Sequence, residues 1–196
     1  MNVFLPADIL IPDVESMEKW SVIACDQFSS QPEYWKDVKE TVGDAPSSLH
    51  LIFPEAELEE VDENEKIKTI NWNMQSYLEQ GIFQKYEKSY VYVERTLKNG
   101  SIRRGLVGMI DLEAYDYSEN SSSRIRATEK TVTCRIPPRV RIREDAPVEL
   151  PHVLLLCDDR SDGLMEWLSG KKEEMRKIYN FNLMKEGGHI SGWLVS

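Results

Sequence analysis

The sequence predicts an α+β fold, with a mixed or antiparallel sheet packed against three to four helices, including a 90–110 β-hairpin. Two observations carry most of this. Residues 30–43 and 62–81 each show apolar side chains at helical spacing between a capping residue and a terminal glycine. Residues 90–97 and 102–110 are two β-rich runs separated by Lys98-Asn99-Gly100-Ser101, and Asn-Gly between such runs is a strong hairpin signal. A third observation is the apolar run from Ile190 to Val195, which reads as a strand. No internal repeat or low-complexity linker divides the chain, so residues 1–196 read as one domain.

In chain order, residues 1–12 alternate apolar side chains with prolines and read as an extended leading segment, an edge strand. Residues 21–25 are a short apolar run that fits a buried strand. Ser30 with Glu33 has the form of a capping box, and Tyr34, Trp35, Val38 and Val42 then mark one helical face before Gly43. Residues 49–53 read as a strand that stops at Pro54. Asp62 caps a second helix, whose face carries Ile67, Ile70, Met74, Tyr77 and Leu78, and Gly81 closes it. Within the second hairpin strand, Gly105 and Gly108 mark a bulge or a close approach of another backbone or a ligand.

Residues 116–123 form a polar loop. Residues 153–157 read as a buried strand with Asp158-Asp159 as the turn after it. Leu164, Leu168, Met175 and Ile178 fit one face of a helix over 164–179, with a break at Gly170. Ending on an apolar strand that holds Trp193 and Leu194 is unusual, because exposed strand edges invite pairing. The sequence predicts that this strand pairs within its own sheet, that it joins a second copy in a homo-oligomer, or that the chain is the N-terminal portion of a longer protein.

Composition limits the function classes. Lys and Arg total 24 against 34 Asp and Glu, for a formal charge of −10. So acidic a surface repels a phosphate backbone and weighs against DNA or RNA as the main partner. Cys25, Cys134 and Cys157 are an odd number at wide spacing, which reads as reduced thiols of a cytoplasmic protein and not as a zinc site. The N-terminal residues lack a secretory signal, and the longest apolar run is too short for a bilayer, so no membrane association is expected.

Against this acidic background, residues 124–143 stand out. They hold Arg124, Arg126, Lys130, Arg135, Arg139, Arg141 and Arg143, seven of the 24 basic residues in 20 positions, opposed only by Glu129. Guanidinium groups match phosphate or carboxylate in two-point fashion. Thr128, Thr131 and Thr133 add hydroxyls of the kind that complete a phosphate cradle, and Glu129 has the chemistry to accept a proton or hold magnesium. The alternation of Arg139, Arg141 and Arg143 fits equally well the solvated face of a strand, or arginines paired with the abundant acids. Neither a P-loop nor a GxGxxG is present.

A second candidate is the polar stretch of Asp26 and Gln27 that enters the first helix, where unpaired N–H groups attract anions; a plain connection is the competing reading. His50, His152 and His189 have no diagnostic spacing to Cys25 or to any serine, so a nucleophilic role for Cys25 has no support. His152 reads as a hydrogen-bonded core residue, and the five tryptophans as core or rim.

The sequence resembles the domain-of-unknown-function family numbered 1015. The resemblance rests on Phe4-Leu5-Pro6-Ala7-Asp8, Cys25-Asp26-Gln27-Phe28, Ser30-Gln31-Pro32-Glu33-Tyr34-Trp35, Gly43-Asp44-Ala45-Pro46-Ser47 and Arg103-Arg104-Gly105-Leu106. It continues through Ile125-Arg126-Ala127-Thr128-Glu129, Arg135-Ile136-Pro137-Pro138-Arg139 and Leu150-Pro151-His152-Val153. The resemblance implies a longer protein with a downstream Asp-Gly-(Asn or His)-His-(Ser or Arg) motif, similar to ParB-like and sulfiredoxin-like domains. Their relatives include nucleotide-hydrolysing partition proteins and a free-serine kinase.

Together these readings predict a contribution to a phosphate- or nucleotide-binding enzyme, with serine-kinase-like small-molecule phosphotransfer as the reaction and ATP or ADP with magnesium as cofactor. Arg126, Arg135 and Arg139 would clamp phosphate, Thr128 would donate to it, and Glu129 would act as base or metal ligand. Asp26 and Gln27 would contact the substrate. The alternative is a non-catalytic binding or regulatory module whose arginines hold an acidic partner.

Overall fold

The computed structural model describes residues 3–58, 61–116, 118, 121–126, 132–133, 136–150, 152–159, 161 and 163–195. Its strands are β1 (Phe4–Leu5), β2 (Ala7–Pro12), β3 (Phe83–Thr96), β4 (Ile102–Val107), β5 (Met109–Ile110), β6 (Arg176–Asn182) and β7 (His189–Val195). Its α-helices are α1 (Met17–Trp20), α2 (Pro32–Val42), α3 (Glu63–Glu79), α4 (Ile136–Glu144) and α5 (Gly163–Lys171). The fold is α+β, and every pairing between named strands is antiparallel.

β3 is the axis of the sheet. Its first half pairs with β2, from Ala7 opposite Ser89 to Pro12 opposite Phe83. Its second half pairs with β4, Val91 opposite Val107, and with β7, Tyr92 opposite Trp193. β6 completes the order β2-β3-β7-β6. The predicted hairpin is present. Gly100 takes a φ of 81°, a left-handed value that a residue without Cβ adopts readily, and Asn99 Oδ1 accepts from Ser101 N at 3.0 Å. The apolar sequence of β7 is explained by its place: β3 and β6 occupy both of its edges.

Gly108 sits where β4 gives way to β5 and β5 turns to pair with β1. A Cβ there would lie 2.7 Å from the Phe4 ring, 2.8 Å from Leu5 O and 2.8 Å from the Tyr90 ring. The close approach predicted for this glycine is therefore between its backbone and two neighbouring segments, whereas Gly105 meets nothing within 4 Å. On the last hairpin, the Tyr179 ring lies across Gly192, its partner in register.

The helices follow the sequence where the signal is local. The Asp62 side chain accepts from Glu65 N at 2.9 Å, and α3 buries Ile67, Ile70, Met74 and Tyr77. α2 buries Trp35, Val38 and Val42 and ends at Gly43. Its N-cap is Gln31, without a side-chain hydrogen bond, and Pro32 begins the helix; Ser30 therefore does not act as the predicted cap.

Residues 49–53 are not a strand. A 3₁₀ turn, Ser48–Leu51, opens there, with Ser47 Oγ accepting from Leu49 N at 3.2 Å. Leu51 and Phe53 join Trp20, Ile70, Met74 and Tyr77 in one core cluster, while Leu49 and Ile52 join Trp35, Val38 and Val42 in another. A short apolar run buried all round has the same pattern whether extended or coiled. Residues 21–25 likewise have no strand pairing, and Val22 N reaches Ser48 Oγ at 3.4 Å instead.

Two further expectations are corrected. Residues 153–157 form no strand among the described residues; Val153 is 80% exposed and Leu154 87%, and His152 is exposed as well. The helix expected over 164–179 stops at Lys171, and β6 occupies 176–182, where Tyr179 faces β7. Asp159 forms the expected turn: its carboxylate accepts from Ser161 N and from Leu164 N at the start of α5.

α5 is fixed to the sheet by Leu168 against Tyr92 and Trp193, and by a buried polar network. Tyr92 donates to Glu94 Oε1 at 2.7 Å, and Lys172 Nζ donates to Oε2 at 3.0 Å. Burial raises the Glu94 carboxyl, but the donors Tyr92 and Lys172 outweigh it and hold the group below the usual glutamate range. No helix among the described residues is long and apolar enough to cross a membrane.

Candidate functional site

The loop ahead of α2 is shaped by backbone contacts. Gln27 N donates to Ala24 O at 3.0 Å, and Glu55 N donates to Cys25 O at 2.8 Å. The Trp35 indole reaches Gln27 O at 3.3 Å. Phe28 adopts a φ of 53° and stacks on Tyr34 at 4.0 Å between ring centroids. These contacts set Asp26 and Gln27 at the surface, where Gln27 Nε2 donates to Asp26 Oδ1 at 3.3 Å.

Arginines arrive from α4. This segment is a helix and not the strand that the alternation of Arg139, Arg141 and Arg143 allowed. The prolines Pro137 and Pro138 stand in its first turn, where a missing N–H costs nothing. Arg139 Nη2 donates to Glu55 Oε1 at 2.8 Å and lies 3.8 Å from Asp26 Oδ2. Glu55 is the most shielded of the three, with its side chain 11% exposed against 42% for Arg139. The next two arginines go elsewhere: Arg141 pairs with Glu63 at the start of α3, and Arg143 Nε donates to Glu149 at 2.7 Å.

The structure thus brings together Asp26, Gln27 and Arg139 among the sequence-predicted site residues. Arg126 is exposed and makes no ion pair among the described residues. Thr128, Glu129 and Arg135 lie outside the described residues. On α4, Arg139, Arg141 and Arg143 have three separate acidic destinations.

Glu55 was not evident from the sequence. Its carboxylate is the one that receives Arg139, and it sits on a 3₁₀ turn, Glu55–Glu57, directly after Pro54. The signal was present as two carboxylates in Pro54-Glu55-Ala56-Glu57 following a buried apolar run, in a position that brings both back over the core. Glu57, on the same turn, is buried and meets Lys39 Nζ at 2.7 Å and Lys66 Nζ at 3.4 Å.

Cys25 adjoins the Asp26–Arg139–Glu55 group. Burial, then the Asp26 charge, raises its thiol, with Arg139 opposing. The thiol stays protonated and is a weak nucleophile there. A guanidinium between two carboxylates can instead exchange one oxyanion for another, since a partly exposed ion pair is individually weak.

The family model described as a protein of unknown function, DUF1015, matches residues 9–196. No curated protein and no solved structure matches the chain.

Proposed function

The chain belongs to the DUF1015 family, and on that footing we propose that it contributes an oxyanion-binding surface to an enzyme that handles phosphate or a nucleotide, with small-molecule phosphotransfer as the reaction. One observation carries this reading. Arg139 is delivered from α4 to the loop ahead of α2, so the two segments that the sequence marks as anion-binding meet at one guanidinium. An incoming phosphate would take the fork of Arg139 from Glu55 and Asp26, and the released carboxylates would lie beside it, suited to a magnesium ion that accompanies ATP or ADP. Such a site works by positioning and charge neutralisation.

Isothermal titration against ATP, ADP, pyrophosphate and phosphoserine tests it. Binding that Arg139→Ala removes supports the reading, and no binding to any of the four refutes it.

A second reading has its own observation. Arg139, Arg141 and Arg143 each carry a carboxylate partner, which suits a non-catalytic module whose ion pairs open to receive an acidic partner protein. That reading predicts salt-sensitive capture of a defined acidic protein, lost when all three arginines are replaced, with no response to the four phosphate compounds.

A further inference from the structure

A cavity of about 290 Å³, lined by Glu57 but not by Glu55 or Arg139, opens between α2, α3 and the Ser48–Leu51 turn. Its polar lining comes from Lys39, His50, Glu57, Lys66, Thr69 and Asn73, and its apolar wall includes Leu49 and Ile70. Nothing in the sequence marks this place, because its polar residues come from α2, α3 and the two 3₁₀ turns between them.

The charges there do not cancel. Glu57 is 6% exposed, and its carboxylate is shared between two ammonium groups, Lys39 at 2.7 Å and Lys66 at 3.4 Å. Among the lining residues, two positive charges on one negative leave a surplus of one; the Asp44 carboxylate, which acts on His50, is not part of the lining. Lys66 is the better shielded of the pair, its side chain 28% exposed against 55% for Lys39, and it also lies 6.0 Å from the Phe53 ring centroid. A buried carboxylate therefore has two ammonium groups within ion-pair distance beside a concave space.

His50 adds a directed donor. Its Nδ1 lies 2.8 Å from the Tyr77 hydroxyl, which itself accepts from Ser47 N at 3.3 Å. Burial, then the nearby Lys66 charge, keeps the imidazole below its usual range, with Asp44 opposing, so the ring is neutral. In the tautomer in which the Tyr77 hydroxyl donates to Nδ1, the ring's own proton sits on Nε2. Asn73 Nδ2 donates to His50 O at 3.0 Å and fixes the turn that carries the ring.

We infer that this cavity is a binding site for a small, singly charged carboxylate, held by Lys66 and Lys39 with the His50 N–H, and with its short aliphatic part against Leu49 and Ile70. One negative charge neutralises the surplus, whereas a phosphate dianion would leave an excess negative charge beside Glu57. The volume lies just below the roughly 300–1,000 Å³ common for sites of drug-sized ligands, which suits a smaller molecule. The site is separate from Arg139 and does not depend on the phosphate reading.

The test is a chemical-shift titration of the isotopically labelled chain with sodium propionate at constant ionic strength, with inorganic phosphate as a parallel arm. Saturable shifts at residues 39, 50, 66 and 73 are expected. Lys66→Met should weaken propionate at least tenfold, and Lys66→Arg should restore most of it. Lys85→Met, which removes a charge from β3, should change nothing. Circular dichroism melts of each variant separate lost binding from lost folding. Absence of saturable shifts, or binding unchanged in Lys66→Met and Lys66→Arg alike, overturns the site. Saturation by phosphate but not by propionate overturns the carboxylate assignment.

Discussion

Arg139 and Glu55 stand 84 residues apart in sequence, yet Arg139 Nη2 donates to Glu55 Oε1 at 2.8 Å. This contact ties α4 to the Glu55–Glu57 turn, and the same guanidinium lies 3.8 Å from Asp26. A double-mutant cycle with Arg139→Ala and Glu55→Gln, read by urea denaturation, is expected to give a coupling of about 1 kcal/mol, at the upper end for a partly exposed pair because Glu55 is shielded. A coupling of zero would mean that the pair does not hold α4 in place.

The Tyr92–Glu94 network gives opposite acid and alkaline behaviour. The Glu94 carboxyl lies below its usual range in the folded chain, so its contribution is present above the ordinary glutamate pKa and is lost as pH falls through the folded value. Glu94→Gln should flatten the acid limb of a stability–pH profile. Burial first, then the hydrogen bond to Glu94, pushes the Tyr92 hydroxyl up to about 12. Its contribution is complete below the ordinary tyrosine value and is lost as pH rises toward 12. Burial raises the Tyr179 hydroxyl as well, so ultraviolet titration should show Tyr92 among several late-ionising tyrosines, and Tyr92→Phe should reduce the late absorbance change by one tyrosine.

Gly192 carries the Tyr179 ring. An added Cβ would lie 2.1 Å from Tyr179 Cζ, so Gly192→Ala is expected to cost about 1–3 kcal/mol through overpacking. The same substitution in a Tyr179→Ala background should cost far less, because the clash is gone. Equal costs in both backgrounds, measured by chemical denaturation, would place the strain elsewhere.

Asp62→Ala removes the acceptor for Glu65 N at the start of α3 and should lower stability by about 1 kcal/mol. Asp62→Asn, which keeps an acceptor, should lose only a fraction of that. Thermal melts of the two variants side by side decide the point.

What was legible in the sequence was local. Asp62 and Gly81 bracket α3, and Asn99-Gly100 marks the hairpin, because a cap or a turn needs only residues a few positions apart. What depended on distant partners was not legible. Residues 49–53 and 153–157 look alike as short apolar runs, but the first is buried by Trp20 and α2, while the second is exposed. β6 was hidden inside a helical pattern because Met175 and Ile178 keep helical spacing with Leu164 and Leu168. The candidate site divided in the same way. The basic character of 124–143 was plain, but Glu55, the acid that receives Arg139, could not be paired with it without the fold.

The measurement that bears most directly on the proposed anion site is the guanidinium Nε–Hε signal of Arg139 during a titration with pyrophosphate. The Arg95 signal, whose Nε donates to Gly187 O at 3.1 Å on the far hairpin, serves as the internal reference. Exchange of Glu55 for pyrophosphate predicts a saturable shift at Arg139 and none at Arg95. An Arg139 signal that stays put, or that moves only in step with Arg95, would contradict the account.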